Sequence, residues 1–255
     1  MSAQDLTRLA MVNYGHFTSM RVTDGRVRGL ARHLERLDRD ARILFGGQVP
    51  EDVTRRAVRE ATAGKPDIYA RVTVFARDFD ARAPERDLTP DVVVTTGGLP
   101  SPDAPPLRVR TAGYQRELPQ VKHVSTFGLF YQRRLARQAG FDDVVFVTPD
   151  GQVCEGSTWN ISFLAADGTI VWPSAPALPG IAMGLVQSGL TRSGRRYEVR
   201  PVPLSELPDF RAAFASNALS PVRQVGVIDD VKYEPADDTA AMLLACHDMT
   251  PEERV

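Results

Sequence analysis

Lysine is scarce in this chain: Lys65, Lys122 and Lys232 are the only three among 31 basic residues, the rest being arginine. Cysteine is scarcer still, represented by Cys154 and Cys246 alone. Two thiols with no C-x-x-C spacing and no nearby histidine pair support neither a disulfide framework nor a zinc site, and both read as buried packing. No apolar stretch approaches the roughly 20 residues needed to span a bilayer, and the opening residues MSAQDLTRLAMVNYG lack a basic region followed by an apolar run. Neither sign of charge dominates. With 31 basic and 32 acidic residues spread along the chain, the net charge is -1, which leaves no basic stripe for nucleic acid and no polybasic membrane anchor. The patterns GxGxxG and GxxxxGK are absent, so no Rossmann or P-loop nucleotide site is expected. What remains is the expectation of a soluble cytoplasmic protein whose partners are small molecules.

The 255 residues, 43% of them hydrophobic, suffice for one large domain or two modest ones. Apolar and polar residues alternate in HFTSMRV, and Asp24-Gly25 is a turn signal leading into VRGL, so a hairpin is expected over residues 16–30. The period then changes. Leu30, Leu34, Leu37, Ala41 and Leu44 recur at steps of three and four, with Gly46 as a stop, which describes an amphipathic helix. EDVTRRAVREATA reads as a second helix ended by Gly64, and IYARVTVFA and DVVVTT as strands. The segment GGLPSPDAPP carries four prolines and two glycines in ten residues, so it is extended and marks a boundary. This places a small N-terminal domain at 1–97, a connector at 98–106 and a larger domain at 107–255. In the larger domain the pattern predicts a strand (LRVRTAGY), a helix (STFGLFYQRRLARQAG), strands VVFVT and QVCEG around a PDG turn, and strands NISFLAA and TIVWP. A helix (IAMGLVQSGLTRSG), two strands (RAAFASNA and PVRQVGVID) and a closing helix (DDTAAMLLACHDM) follow. The expected class is α+β in two halves, without repeats.

Among the three lysines, Lys65 lies in a turn and Lys232 beside an acidic turn, where both read as solvated charges. Lys122, in LPQVKHVSTFG, follows an apolar residue and precedes a predicted helix, where partial desolvation would make its amine a nucleophile able to form a Schiff base. Glu155 lies 33 residues later in EGSTWNI, at the end of a predicted strand. Pro179-Gly180 precedes a helix, which leaves the Ile181 and Ala182 N–H groups free to hold a phosphate. Ser216 and Asn217 stand at a strand end, and Arg71 lies on a strand between apolar neighbours. Taken singly, each has a plain reading: turn carboxylate, helix stop, outer strand face.

Taken in order, the stretches GHFTSMRVTDGRVRGLARHLERL, ARVTVFARD, VKH, EGSTWNI, LPGI and SNALSPV form a signature. The chain resembles the fold-type IV pyridoxal-phosphate enzymes, which include branched-chain and D-amino-acid aminotransferases and 4-amino-4-deoxychorismate lyase. The resemblance implies a two-domain α+β fold of the D-amino-acid aminotransferase type, with the cofactor pyridoxal 5'-phosphate at the domain interface, and a homodimer. It gives Lys122 the Schiff-base role and sets Glu155 against the pyridine nitrogen, where it keeps the ring an electron sink. Arg71, Ile181, Ala182, Ser216 and Asn217 would fix the phosphate. Tyr14, Phe17 and Thr18 would border the substrate, Arg116 is a candidate for its carboxylate, and Trp159 is either a packed indole or part of the substrate wall. The implied reaction is transfer of an amino group between an amino acid and a 2-oxo acid through a Lys122 aldimine. Thr18, the histidine of VKH and SNALSPV look more like the lyases, which eliminate pyruvate to leave 4-aminobenzoate, whereas EGSTWNI is closer to the aminotransferases. Ala182 and Met183 stand where the family usually has threonine and arginine. With the short N-terminus, that keeps a non-catalytic homologue as a third reading.

Overall fold

The computed structural model describes Thr7 and residues 11–255. Its contacts group into two units, each with its own sheet. The first holds the described residues up to Leu99, together with Val121–Thr126 and Pro251–Val255; the second holds Pro100–Gln120 and Phe127–Thr250.

In the first unit, β1 (His16–Thr23) and β2 (Arg26–Arg28) form the expected hairpin. Asp24 and Gly25 both take positive φ, the geometry of a two-residue turn whose twist suits the strands. With β3 (Asp67–Phe75), β4 (Asp91–Gly97) and β14 (Glu252–Arg254) they make a five-stranded sheet in the order β14-β2-β1-β3-β4. Helices α1 (Leu30–Phe45) and α2 (Glu51–Thr62) pack on it. The apolar stripe of α1 meets Met20, Val22, Ala70, Val72 and Val74 in one core, as its three-and-four spacing requires. Strand β14 did not stand out in the sequence. Glu252, Glu253 and Arg254 carry no apolar alternation, and the strand exists because its backbone pairs with β2 at the sheet edge.

The second unit is built on β5 (Leu107–Gly113), β6 (Asp143–Val147), β7 (Val153–Gly156), β8 (Asn160–Leu164), β9 (Ile170–Pro173), β10 (Tyr197–Arg200), β11 (Ala212–Ser216), β12 (Arg223–Ile228) and β13 (Val231–Lys232). Their order is β10-β9-β8-β11-β12-β5-β6-β7, and β7 also pairs with β8. That second pairing closes six strands into a barrel. Every barrel strand sends residues into one core, among them Val109, Val145, Val153, Ile161, Phe163, Ala213, Ala215 and Val225. The alternate residues face outward and are covered as well. Val144 and Phe146 lie under α3 (Phe127–Gln138) with Leu129 and Ala136, while Phe214 and Trp172 lie under α4 (Ile181–Arg192) and α5 (Asp237–Asp248) with Val186, Leu190 and Leu243. Burial on both faces explains why these strands read as unbroken apolar runs rather than alternations. Helix α3 begins at Phe127 rather than at Ser125, and β10, parallel to β9, was not foreseen.

Candidate active site

Strand β1 sorts the first unit's candidate residues onto two faces. In its antiparallel register with β3, Phe17 stands opposite Thr73 and Ser19 opposite Arg71, while Thr18 stands opposite Val72 and Met20 opposite Ala70. Directly opposed residues share a face, so Phe17 and Arg71 lie on the side away from the helices. The Arg71 guanidinium rests 3.6 Å from the centre of the Phe17 ring, and its Nε donates to Thr73 Oγ1 at 3.3 Å. Burial lowers the Arg71 pKa from the ordinary arginine value. The Lys122 amine lies over the same ring at 4.7 Å, so one aromatic ring carries two cations. The Lys122 carbonyl accepts from the Phe17 N–H at 2.9 Å, which fixes the lysine beside β1.

Thr18, expected at the substrate border, is turned the other way, into the helix layer. It is fully buried; its hydroxyl accepts from Arg36 Nη2 and lies 2.7 Å from His33 Nδ1. Burial, with the Arg36 and Lys122 charges beside it, holds the His33 pKa well below the usual value, so the imidazole is neutral. Tyr14 also packs into this unit. Its hydroxyl donates to the Leu44 carbonyl at 2.9 Å and its ring stacks on Phe79.

In the second unit the β7–β8 and β8–β11 pairings put Glu155 opposite Asn160 and Asn160 opposite Ser216, so three polar residues distant in sequence stand in one row. Glu155 is 4% exposed. Its Oε1 lies 3.2 Å from Arg116 Nε, and its Oε2 accepts from the Leu178 N–H at 3.2 Å. Asn160 Nδ2 donates to the Leu178 carbonyl at 2.8 Å. Carboxylate and amide thus hold the LPGI segment from both sides of one residue. A side chain at Gly180 would collide with Asn160 Oδ1, so the segment lies against Asn160 only because residue 180 is glycine. Gly180 is extended and offers no side-chain cap to α4, whose first N–H groups lack intrahelical acceptors. The buried Ser216 hydroxyl finds no hydrogen-bond partner among the described residues. Asn217 is differently engaged, its Oδ1 accepting from the Leu219 and Ser220 N–H groups in a tight turn.

The composition of EGSTWNI follows from how its turn is locked. Asp143, at the start of β6, accepts from Ser157 Oγ at 2.6 Å, from Trp159 Nε1 at 3.0 Å and from its neighbour Val144 N–H. Arg133, on α3, pairs with Asp143 at 2.8 Å and donates to Ser157 Oγ and Thr158 Oγ1. Trp159 is a packed indole in the barrel core, and its ring fills the place where a Cβ on Gly156 would stand. The glycine is therefore required by the tryptophan.

Of the sequence-predicted residues, the structure brings Phe17, Arg71 and Lys122 together in the first unit, and Glu155, Arg116, Ser216 and the α4 N-terminus with Ile181 and Ala182 in the second. Arg116 lies in the loop after β5 rather than in a strand, and its guanidinium is committed to Glu155. Asp40, Arg133, Asp143 and Leu178 were missed. His33, Arg36 and Asp40 follow the helical period beside the apolar stripe, but that period alone reads as a solvated face and does not reveal what Asp40 holds. Among the described residues no helix is long and apolar enough to cross a membrane, and no cluster of ligating side chains suits a metal.

Residues 15–228 match the family model described as amino-transferase class IV. A probable branched-chain-amino-acid aminotransferase of Aquifex aeolicus is 25% identical over 78% of this chain and 69% of its own length. Among solved structures, the PLP-bound form of a hypothetical aminotransferase from Mycobacterium tuberculosis superposes with a TM-score of 0.84 at 21% identity, covering 98% of this chain and 93% of that one. A putative 4-amino-4-deoxychorismate lyase from Legionella pneumophila superposes with a TM-score of 0.80 at 21% identity, covering 97% and 95%.

Proposed function

From the premise that this chain belongs to the amino-transferase class IV family, a membership its match over residues 15–228 establishes, we propose that it uses pyridoxal 5'-phosphate to move an amino group between an amino acid and a 2-oxo acid. The fold is the one that family members share. The observation that carries the reading is the buried Glu155 carboxylate, held by Arg116 and the Leu178 amide in one row with Asn160 and Ser216.

The donor set fits the cofactor. Its phosphate needs N–H and O–H donors and cations: within the second unit the uncapped start of α4 and the Ser216 hydroxyl, which has no partner among the described residues, are of that kind, and within the first unit the Arg71 guanidinium is a cation of that kind. Ala182 and Met183 bring no polar side chain to this set, so backbone amides carry its share. Asn217, spent on its own turn, contributes by shaping the loop after Ser216. When bound, pyridoxal phosphate supplies an aldehyde for an amine and a ring that accepts an electron pair. Lys122 would be the amine that holds it, and its Nζ, once free, would serve as the base that carries the proton taken from the substrate carbon. Glu155 would supply the carboxylate that keeps a proton on the ring nitrogen, and Arg116, 3.2 Å from it, orients that carboxylate. Phe17 underlies both Lys122 and Arg71, each of which is half-buried. A homodimer is part of this reading, supported by the exposed apolar side chains Phe127, Phe130 and Tyr131 on α3; light scattering at micromolar concentration tests it.

A second reading, elimination of pyruvate to give 4-aminobenzoate, is favoured by His123 directly after Lys122 and by the SNALSPV stretch. One experiment separates the two. Purified protein with added pyridoxal phosphate is expected to show a visible absorption band that bleaches on addition of a particular L- or D-amino acid. A stable band that no amino acid bleaches, with pyruvate released from aminodeoxychorismate, selects the lyase. Absence of any band, or a band retained at its position in Lys122→Ala, refutes both.

A further inference from the structure

Lys122 belongs to a short segment without a helix or long strand of its own, yet its main chain is tied at every peptide. Val121 is fully buried, and an antiparallel bridge between His16 and His123 is made by the Phe17 N–H donating to the Lys122 carbonyl and the Val124 N–H donating to the Gly15 carbonyl. The remaining tie comes from 82 residues away: the Lys122 N–H donates to Asp40 Oδ2 at 3.0 Å. Asp40 is fully buried on α1, and its other oxygen accepts from Arg39 Nε and Nη2 at 3.0 and 2.7 Å. One turn back, buried Arg36 reaches Thr18 on β1, and Thr18 in turn reaches His33. The helix therefore presents a polar stripe, His33, Arg36 and Asp40, to the strand and the segment that flank the Phe17 ring. A buried carboxylate is costly unless it is well paired, and here the pairing goes to the peptide of the one lysine whose amine lies over that ring.

We propose that Asp40 is a positioning residue for Lys122, a charged anchor that fixes the lysine's main chain and thereby the landing point of its amine. The proposal rests on the reading of Lys122 as the cofactor-holding lysine. Arg36 and Arg39 balance the carboxylate, and Thr18 and neutral His33 hold the register of α1 against β1. The sequence distance means that α1 and the lysine segment must both be docked before the site exists.

Amide hydrogen exchange in the cofactor-free protein tests the anchor without reference to catalysis. Asp40→Ala removes the acceptor and is expected to speed exchange of the Lys122 amide on the order of tenfold, the weight of one charge-assisted hydrogen bond, with the Met20 and Val22 amides of β1 unchanged. Asp40→Asn keeps an oxygen acceptor, while Arg39, whose side chain is 44% exposed, can turn to solvent; Lys122 exchange should stay within about threefold of wild type. If Asp40→Ala does not fold, the double variant Arg39→Ala/Asp40→Ala, which leaves no stranded Arg39, carries the same test. Formation of the visible band with pyridoxal phosphate should slow in parallel, about tenfold in the alanine variant and little in the asparagine variant. Unchanged Lys122 exchange in the alanine variant overturns the proposal, as does acceleration shared equally by Met20 and Val22. A wild-type protein that forms no band overturns the functional reading, and the exchange comparison still decides the anchor.

Discussion

Replacing Arg116 by methionine should be among the most damaging single changes in the second unit. The Arg116 and Glu155 side chains are 3% and 5% exposed and meet at 3.2 Å, so neither charge has more than slight access to water. Removing the guanidinium takes from the desolvated Glu155 carboxylate the cation it meets at 3.2 Å, while the Leu178 amide still donates to it. Breaking such a pair from one side costs about 3–5 kcal/mol, most of it the penalty of the stranded partner rather than the worth of the bond. Restoring neutrality should recover much of that loss. The double variant Arg116→Met/Glu155→Gln is expected to lie within about 2 kcal/mol of wild type, since an amide at 155 can still accept from Leu178. Urea unfolding of wild type, both single variants and the double variant gives the coupling energy, expected to be at least about 2 kcal/mol. A single-variant cost below about 1 kcal/mol, or strict additivity in the double variant, would refute the description of Glu155 as a buried charge compensated by Arg116.

Asp143→Ala strips Ser157, Trp159 and Arg133 of a shared acceptor and should cost about 3–5 kcal/mol by urea unfolding, with a shift in tryptophan emission as the Trp159 environment opens. Ser216→Ala removes a buried hydroxyl that has no partner among the described residues, so stability should hold or rise by up to about 1 kcal/mol, while affinity for pyridoxal phosphate falls by about fivefold; equal losses in both would count against a phosphate role. Acid should destabilise the first unit before its carboxylates titrate. His16, whose pKa burial and the Arg36 and Arg39 charges lower to about 3, and His33, also held well below its usual value, stay neutral when folded and take up a proton each when unfolded. Their neutral forms contribute stability in full above the unfolded value near pH 6.5, and that contribution is lost as pH falls toward the folded values. The slope below pH 6 approaches about 2.7 kcal/mol per unit for two protons. Urea midpoints between pH 7.5 and 5 test this, and a His33→Gln variant with the same slope as wild type would exclude that residue.

The sequence by itself determined the elements whose cause is local. The Asp24-Gly25 turn, the stripe of α1 and the stop at Gly46 all follow from backbone preference and period, and the structure contains them. It also singled out Lys122 and Glu155, because a rare lysine and an odd carboxylate turn are visible without any fold. Pairing decided what remained. The closure of β7 onto β8, the return of β14 to the first sheet and the parallel β10 depend on backbone partners far along the chain, and no residue in those strands announces them. The same holds for side chains. Thr18 turned into the helix layer because the β1–β3 register set its face, Arg116 went to Glu155 because both were buried beyond the reach of water, and Trp159 joined the barrel core because Gly156 left room for its ring. Asp40 is the clearest case. An acid on an amphipathic helix reads as solvated, and only the docking of a segment 82 residues away gives it a buried N–H to hold.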